Sequence, residues 1–261
     1  MNVVVCLKQV PGTTRVEIDP QTNTLVRQGI ENIVNPFDTY ALEEGVRLRE
    51  RYGGKVTAVS MGPPQAESIL RDALAAGADE AILLSDAAFA GADTWATAYT
   101  LSRAVEKLGP CDMVICGRQT IDGDTGQVGP ELAEILGVTF VSYVSQIEEI
   151  DGESMRLKRL MGERYEILEA LLPAVITVAK EINTPRLPSL RGMARSKSAT
   201  IPIWGAEELD ADKNMIGLAG SATRVTRIFF PQRTQHAEVL EGDMADQVDY
   251  LVGRLREINL I

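Results

Sequence analysis

Residues 112–136, DMVICGRQTIDGDTGQVGPELAEIL, carry the densest chemistry of the chain. An apolar strand over 113–116 ends in Gly117, a polar loop follows, and a helix is predicted to begin near Thr125. In open α/β sheets, ligands bind outside the carboxyl ends of the strands, where such loops lie. A helix N-terminus there offers unpaired N–H groups and partial positive charge, which suits phosphate. Arg118, Gln119, Thr120, Asp122, Asp124, Thr125 and Gln127 all carry groups that hydrogen-bond phosphate or ribose. Gly117, Gly123, Gly126 and Gly129 let backbone approach a ligand without Cβ interference. The chemistry implied is nucleotide binding, set against the plainer reading of a glycine-rich surface connection. No GxGxxG follows the first strand and no GxxxxGK precedes a Ser or Thr, so neither a dinucleotide fingerprint nor a P-loop is indicated.

Catalytic groups are scarce. His236, the single histidine, lies in a polar tail and reads as solvated, which argues against a nucleophile–histidine triad. The acidic pairs Glu43-Glu44 and Glu148-Glu149 are explained by helix and hairpin surfaces. Cys6, Cys111 and Cys116 form neither an even disulfide framework nor a metal spacing, and cytoplasm is the expected compartment.

The elements that must position the loop are alternating strands and helices. Residues 3–7 are a continuous apolar run, as in a strand buried on both faces of a parallel sheet. Residues 9–34 are turn-rich, with strand-like pieces at 16–18 and 24–26. NPFDTYALEEGVRLRERYGG then places Asn35 as an N-cap, Pro36 at the first helical position and Asp38 in capping-box order. A second duty for Asn35, contacting ribose or adenine, follows from its place near a strand end. Strands over 56–61, 81–84 and 113–116 alternate with helices over 66–76, 94–108 and 128–136, which predicts a mostly parallel sheet. Residues 144–150, 155–160 and 163–168 read as antiparallel strands, and 172–179 as a buried strand returning to the main sheet. Residues 183–198 show no clear periodicity. The tail from 201 reads as an arm with two weak helices, near 206–209 and 244–258, and too little apolar content for its own core.

The 261 residues carry a net charge of −11, which excludes a basic nucleic-acid footprint. No apolar run approaches the roughly 18 residues of a membrane span. The start, MNVVVCLKQV, reads as a first strand and not a signal peptide. Against the acidic whole, residues 180–198 are locally basic through Lys180, Arg186, Arg191, Arg195 and Lys197, with Leu187, Pro188, Leu190 and Met193 interspersed. A plain basic loop would have that charge; the apolar anchors add the reading of a docking surface.

VVVCLKQV, NPFDTYALEEGVRL, GRQTIDGDTGQVGP and INTPRLPSLRGMARSKS, in that order, resemble the β-subunit of electron-transferring flavoproteins over essentially the whole chain. The resemblance implies an adenine-nucleotide α-hydrolase-like α/β domain over 1–200, with a hairpin region, and a C-terminal arm over 201–261 that packs on an α-subunit. It implies a nucleotide pocket built from Cys6, Asn35, Pro36, Phe37, Asp38 and Met61 with Gly117, Arg118, Gln119, Thr120, Ile121, Asp122, Gly123, Asp124, Thr125, Gly126, Gln127 and Val128. Pro188, Leu190, Arg191 and Met193 fall in the family's recognition loop, with Leu190 as the anchor inserted into a flavin-dependent acyl-CoA or related dehydrogenase. Electron-transfer-only members hold AMP in the β-pocket. Flavin-bifurcating members hold a second FAD that takes electrons from NADH and splits them between ferredoxin or flavodoxin and, through the FAD of the α-subunit, the dehydrogenase. DGDTGQVGP, residues 122–130, resembles the bifurcating group, so FAD is the expected occupant and AMP the alternative. A nucleotide-sensing module and an ATP-pyrophosphatase share the fold, but the first lacks a use for the basic loop and the second needs a pyrophosphate loop that KQVPG does not resemble.

Overall fold

The structure, a computed structural model, describes residues 1–12, 17–18, 25–26, 32–226 and 239–261; Val16, Thr24 and His236 lie outside them. A nine-stranded sheet organises the main unit, residues 1–226. In chain order its strands are β1 (Asn2–Cys6), β6 (Lys55–Met61), β7 (Glu80–Leu84), β8 (Met113–Gly117), β9 (Thr139–Ile150), β10 (Ser154–Met161), β11 (Arg164–Leu171), β12 (Ala174–Val178) and β13 (Ile203–Trp204). Two small antiparallel pairs fall between β1 and the first helix: β2 (Gln9–Pro11) with β5 (Asn32–Val34), and β3 (Glu17–Ile18) with β4 (Leu25–Val26). The spatial order is β11-β10-β9-β12-β8-β1-β6-β7-β13, parallel from β9 to β13 and antiparallel only across β9, β10 and β11.

Strand composition explains the layering. Successive residues of a strand face opposite sides, and here both sides are apolar. Val3 and Val5 join Met113, Ile115 and Ile176 under helices α1 (Pro36–Tyr52) and α2 (Glu67–Ala76). Val4 and Cys6 join Val114, Cys116 and Val175 under α3 (Thr94–Leu108) and α4 (Val128–Leu136). Helices on both faces of a parallel sheet are the expected consequence of strands with no polar side.

Three expectations change. Residues 190–198, without apparent periodicity, form α5 (Leu190–Ser198), with Ser189 Oγ accepting the Gly192 N–H at 3.0 Å. The compact unit runs past 200: β13 adds to β7, Leu209 and Ile216 are buried, and the short α6 (Gly217–Gly220) follows. Residues 206–209 form turns, not a helix. The second unit, residues 227–261, contains α7 (Met244–Glu257), in which no residue is buried. No helix of the described residues is long and apolar enough to cross a membrane.

Candidate nucleotide site and docking segment

The chain passes from β1 to β6 on one side and later crosses to β8 on the other, so β1 and β8 flank a topological switch point. Crevices outside the carboxyl ends at such points are where open α/β sheets bind ligands. Cys6, Gly117 and Met61 end the three adjacent strands β1, β8 and β6. Cys6 and Cys116 are buried partners in register; the Cys116 thiol, hydrogen-bonded to Cys6, and burial together push the Cys6 thiol well up, so it is neither a thiolate nor a nucleophile.

Asn35 does not cap α1 with its side chain. Its Nδ2 donates to Gln119 O at 2.9 Å and to Asp38 Oδ1 at 2.9 Å, and its Oδ1 accepts from Ile121 N at 3.2 Å. The residue therefore fastens the loop to the helix start. Asp38, 5 % exposed, is not in a capping box either: its Oδ2 accepts the Lys8 N–H at 2.7 Å and its Oδ1 the Asn35 amide. Burial pushes this carboxyl up to about 7, against the lowering effect of those hydrogen bonds. Gly117 is glycine because of this neighbour: a Cβ there would lie 2.3 Å from Asp38 Oδ1 and 2.7 Å from the Phe37 carbonyl carbon. Its missing side chain, like that of Gly129 against Thr177, serves packing and not ligand approach.

The loop itself is polar and open, with residues 121–127 exposed. The Arg118 guanidinium lies 5.0 Å from the Phe37 ring centroid and 5.6 Å from that of Tyr143, and its Nε donates to Gln119 Oε1 at 2.8 Å. Gln119 in turn donates to Asp124. Asp122 accepts the Gly123 N–H at 2.8 Å and pairs with the Lys8 ammonium at 2.8 Å; despite partial burial, which raises it, these contacts hold its carboxyl below the usual range. Asp122 and Asp124 thus shape the loop. The N–H groups of Thr125, Gly126 and Gln127 have no acceptor among the described residues, and α4 starts at Val128, three residues later than Thr125. These amides lead directly into the helix's unpaired first turn. Gly126 holds φ +63°, which favours glycine. A run of free amides, a helix N-terminus and a nearby guanidinium fit a nucleotide phosphate. No group of three or more His, Cys, Asp or Glu among the described residues is placed to hold a metal ion.

The docking segment is built differently. Asn183 Nδ2 donates to Tyr40 O at 3.0 Å and to Glu44 Oε2 at 2.9 Å. Arg186 pairs with Glu43 at 2.8 Å and with Glu50 at 2.6 Å. Burial would raise Glu43, but Arg186 and Arg47 outweigh it and hold the carboxyl below its ordinary value. Arg195 donates to the Leu74 carbonyl in the last turn of α2 and to the Ala78 carbonyl just beyond it, and Arg71 reaches Ser196 O. α5 packs inward through small residues: a Cβ on Gly192 would lie 2.2 Å from Ala75 O, and Ser196 is buried. Its apolar side chains point out, with Leu187 90 %, Leu190 87 % and Met193 46 % exposed; Pro188 and Arg191 are exposed beside them. Lys8 and Tyr143 lie outside the expected pocket set, although Lys8, two residues past β1, had to lie near the switch point.

Comparison with known proteins identifies the family. The electron transfer flavoprotein domain family matches residues 22–209. The chain is 49 % identical to the electron transfer flavoprotein subunit beta of Thermoanaerobacterium thermosaccharolyticum over the whole of both chains. It is 44 % identical to the protein of the same description from Clostridium acetobutylicum, again over both chains entire. It is 43 % identical, over 100 % of each chain, to the caffeyl-CoA reductase-Etf complex subunit CarD of Acetobacterium woodii.

Proposed function

The chain belongs to the electron transfer flavoprotein family as a β-subunit, and from that premise we propose that its loop 117–128 holds FAD and that it works in flavin-based electron bifurcation. The observation that carries the reading is the exposed run of free amides at Thr125, Gly126 and Gln127 in front of α4. With Gly123 and Gly126 it leaves room for a pyrophosphate, where AMP needs one phosphate site. Bound there, FAD supplies two-electron acceptance from NADH and one-electron release toward ferredoxin or flavodoxin, whereas AMP supplies no redox chemistry.

The chain's own groups have separate duties in this reading. The amides of Thr125, Gly126, Gln127 and Val128 bind phosphate. Arg118, braced by Phe37 and Tyr143, brings a fixed positive charge to the pocket wall, which favours anionic phosphate and reduced flavin. Asp122 and Asp124 shape the loop, and Asn35 ties it to α1. Family membership implies an α-subunit, with its own FAD; α7, whose Met244, Val248 and Leu251 are exposed, would pack on it as part of the arm. Leu190, with Pro188, Arg191 and Met193, would dock a flavin-dependent acyl-CoA or related dehydrogenase. A relative named as part of a caffeyl-CoA reductase complex supports an acyl-CoA-type partner.

The test is nucleotide content. The chain is co-expressed with its α-subunit, the complex is denatured in acid, and FAD and AMP are quantified by chromatography. Two FAD per heterodimer is the expected result. One FAD with one AMP makes the protein a non-bifurcating electron shuttle.

A further inference from the structure

The hydrogen-bond polarity around Asn35 admits one arrangement. Gln119 O requires a donor and Ile121 N–H requires an acceptor, so the Asn35 amide sits with Nδ2 toward the first and Oδ1 toward the second. Turned over, it would set oxygen against oxygen and hydrogen against hydrogen. That orientation aims Nδ2 at Asp38 Oδ1 as well. Asp38 also receives the Lys8 N–H. Two donors thus converge on one buried carboxyl, one on each oxygen, and the ionised form holds both as charge-assisted hydrogen bonds that protonation weakens. Both oxygens are engaged within the protein, so Asp38 acts through Asn35 and not by touching a ligand.

We propose that Asp38 is the positioning residue of the nucleotide loop: its carboxylate locks the Asn35 amide, Asn35 holds residues 119–121, and protonation of Asp38 releases the loop and its nucleotide. The proposal rests on the reading that this loop holds the nucleotide. The charges around Asp38 are few. Lys8, beyond β1, faces it but is paired with Asp122 of the loop; from the strands beneath come the Cys6 thiol of β1 and its partner Cys116 of β8; Arg118 is turned to the Phe37 and Tyr143 rings. With burial opposing ionisation, the carboxyl titrates at about 7 and the lock is poised near neutrality.

The experiment uses the heterodimer as wild type, D38N and N35A. Hydrogen exchange of the Ile121 amide, corrected for intrinsic pH dependence, is followed from about pH 6 to about pH 8, and nucleotide retained after desalting is measured on the same samples. In the wild type, Ile121 protection should rise roughly tenfold across this range, the scale of a hydrogen bond to a charged group, with nucleotide retention rising alongside. D38N should exchange fast at both ends and lose nucleotide. N35A should do the same, and it decides the question if D38N fails to assemble. Wild-type protection that is flat with pH, or wild-type-like protection in D38N or N35A at about pH 8, overturns the lock. Protection that follows Asp38 in a heterodimer carrying no β-site nucleotide supports the lock and overturns the nucleotide reading of the loop instead.

Discussion

The nucleotide loop and the docking segment hang from the same helix, α1, and are fastened to it by opposite means. At the helix start, Asn35 and Asp38 hold residues 119–121 through a buried network whose carboxyl is raised to about 7. Further along, Tyr40, Glu43, Glu44, Arg47 and Glu50 hold residues 183–186; Glu43 and Glu44 are buried beneath this segment and not on an open helix surface as expected, and Glu43 and Glu50 are lowered by Arg186. A helix of 17 residues is about 25 Å long, so one rigid rod separates a site that must leave amides free from one that must leave leucines free. The first hangs on a buried carboxyl that titrates near neutrality; the second on carboxylates paired with arginine. Acid should therefore loosen the two in sequence, the nucleotide loop near neutrality and the docking segment only at carboxylate pH.

The largest break in this contrast should come from Gly117→Ala. A methyl group 2.3 Å from Asp38 Oδ1 and 2.7 Å from backbone cannot be absorbed by a flexible side chain. Overpacking of this kind costs about 1–3 kcal/mol or more; thermal unfolding should show it, and the β-site nucleotide should be lost while the α-subunit keeps its FAD. Leu190→Ala should do the converse. An apolar anchor is worth about 2 kcal/mol or more at a hot spot, so reduction of the dehydrogenase should weaken on the order of thirtyfold while nucleotide content and electron transfer to an artificial acceptor stay unchanged. Loss of both together would remove the distinction.

A finer test uses pH. The folded chain holds the Asp38 proton more tightly than the unfolded chain, so the stability this adds is whole below about 3.8 and is lost as pH rises to about 7. Melting temperatures of the wild type relative to D38N should fall across that window by the equivalent of up to about 4 kcal/mol. Glu43 has the other sign: its contribution is present above its ordinary value of 4.5 and disappears as pH falls through the lowered one. The smallest effect belongs to Arg186→Ala. It removes an exposed pair with Glu50 and one with the buried Glu43, which Arg47 still holds, so dehydrogenase coupling should drop only a few-fold and the part carried by Glu50 should shrink at high salt.

Much of the framework was readable because its strands are apolar on both faces and its helices have one apolar side. Residues 3–7, 56–61 and 113–116 could be placed without tertiary information, as could α3 and α4. The hairpin strands ran two to five residues further at some ends, where cross-strand pairing and not composition decides the limit. α5 was hidden by inversion: its inward face is Gly192 and Ser196 and its apolar residues point to solvent, so a search for buried periodicity finds nothing. Ser189, a good N-cap three residues before Gly192, was the one available signal. Asn35 stands at the N-cap position as expected, but its side chain is spent elsewhere for a related reason. An Asn before Pro at a helix start has capping as its local solution, but Gln119 and Ile121, more than eighty residues away, compete for the same amide. The loop's residue types carry the proposal of phosphate binding; which partners they take within the fold was a matter of residues such as Lys8 and Tyr143 that no spacing brings together.

The inverted packing of α5 also bears on how such a protein diversifies. Because Gly192 and Ser196 settle the helix against α2, Leu187, Leu190 and Met193 owe nothing to the interior and are at liberty to change. In the proposed docking role, a lineage could exchange those three side chains to follow a new redox partner while the rest of the fold is inherited intact, much as a plug is refitted without rewiring the appliance.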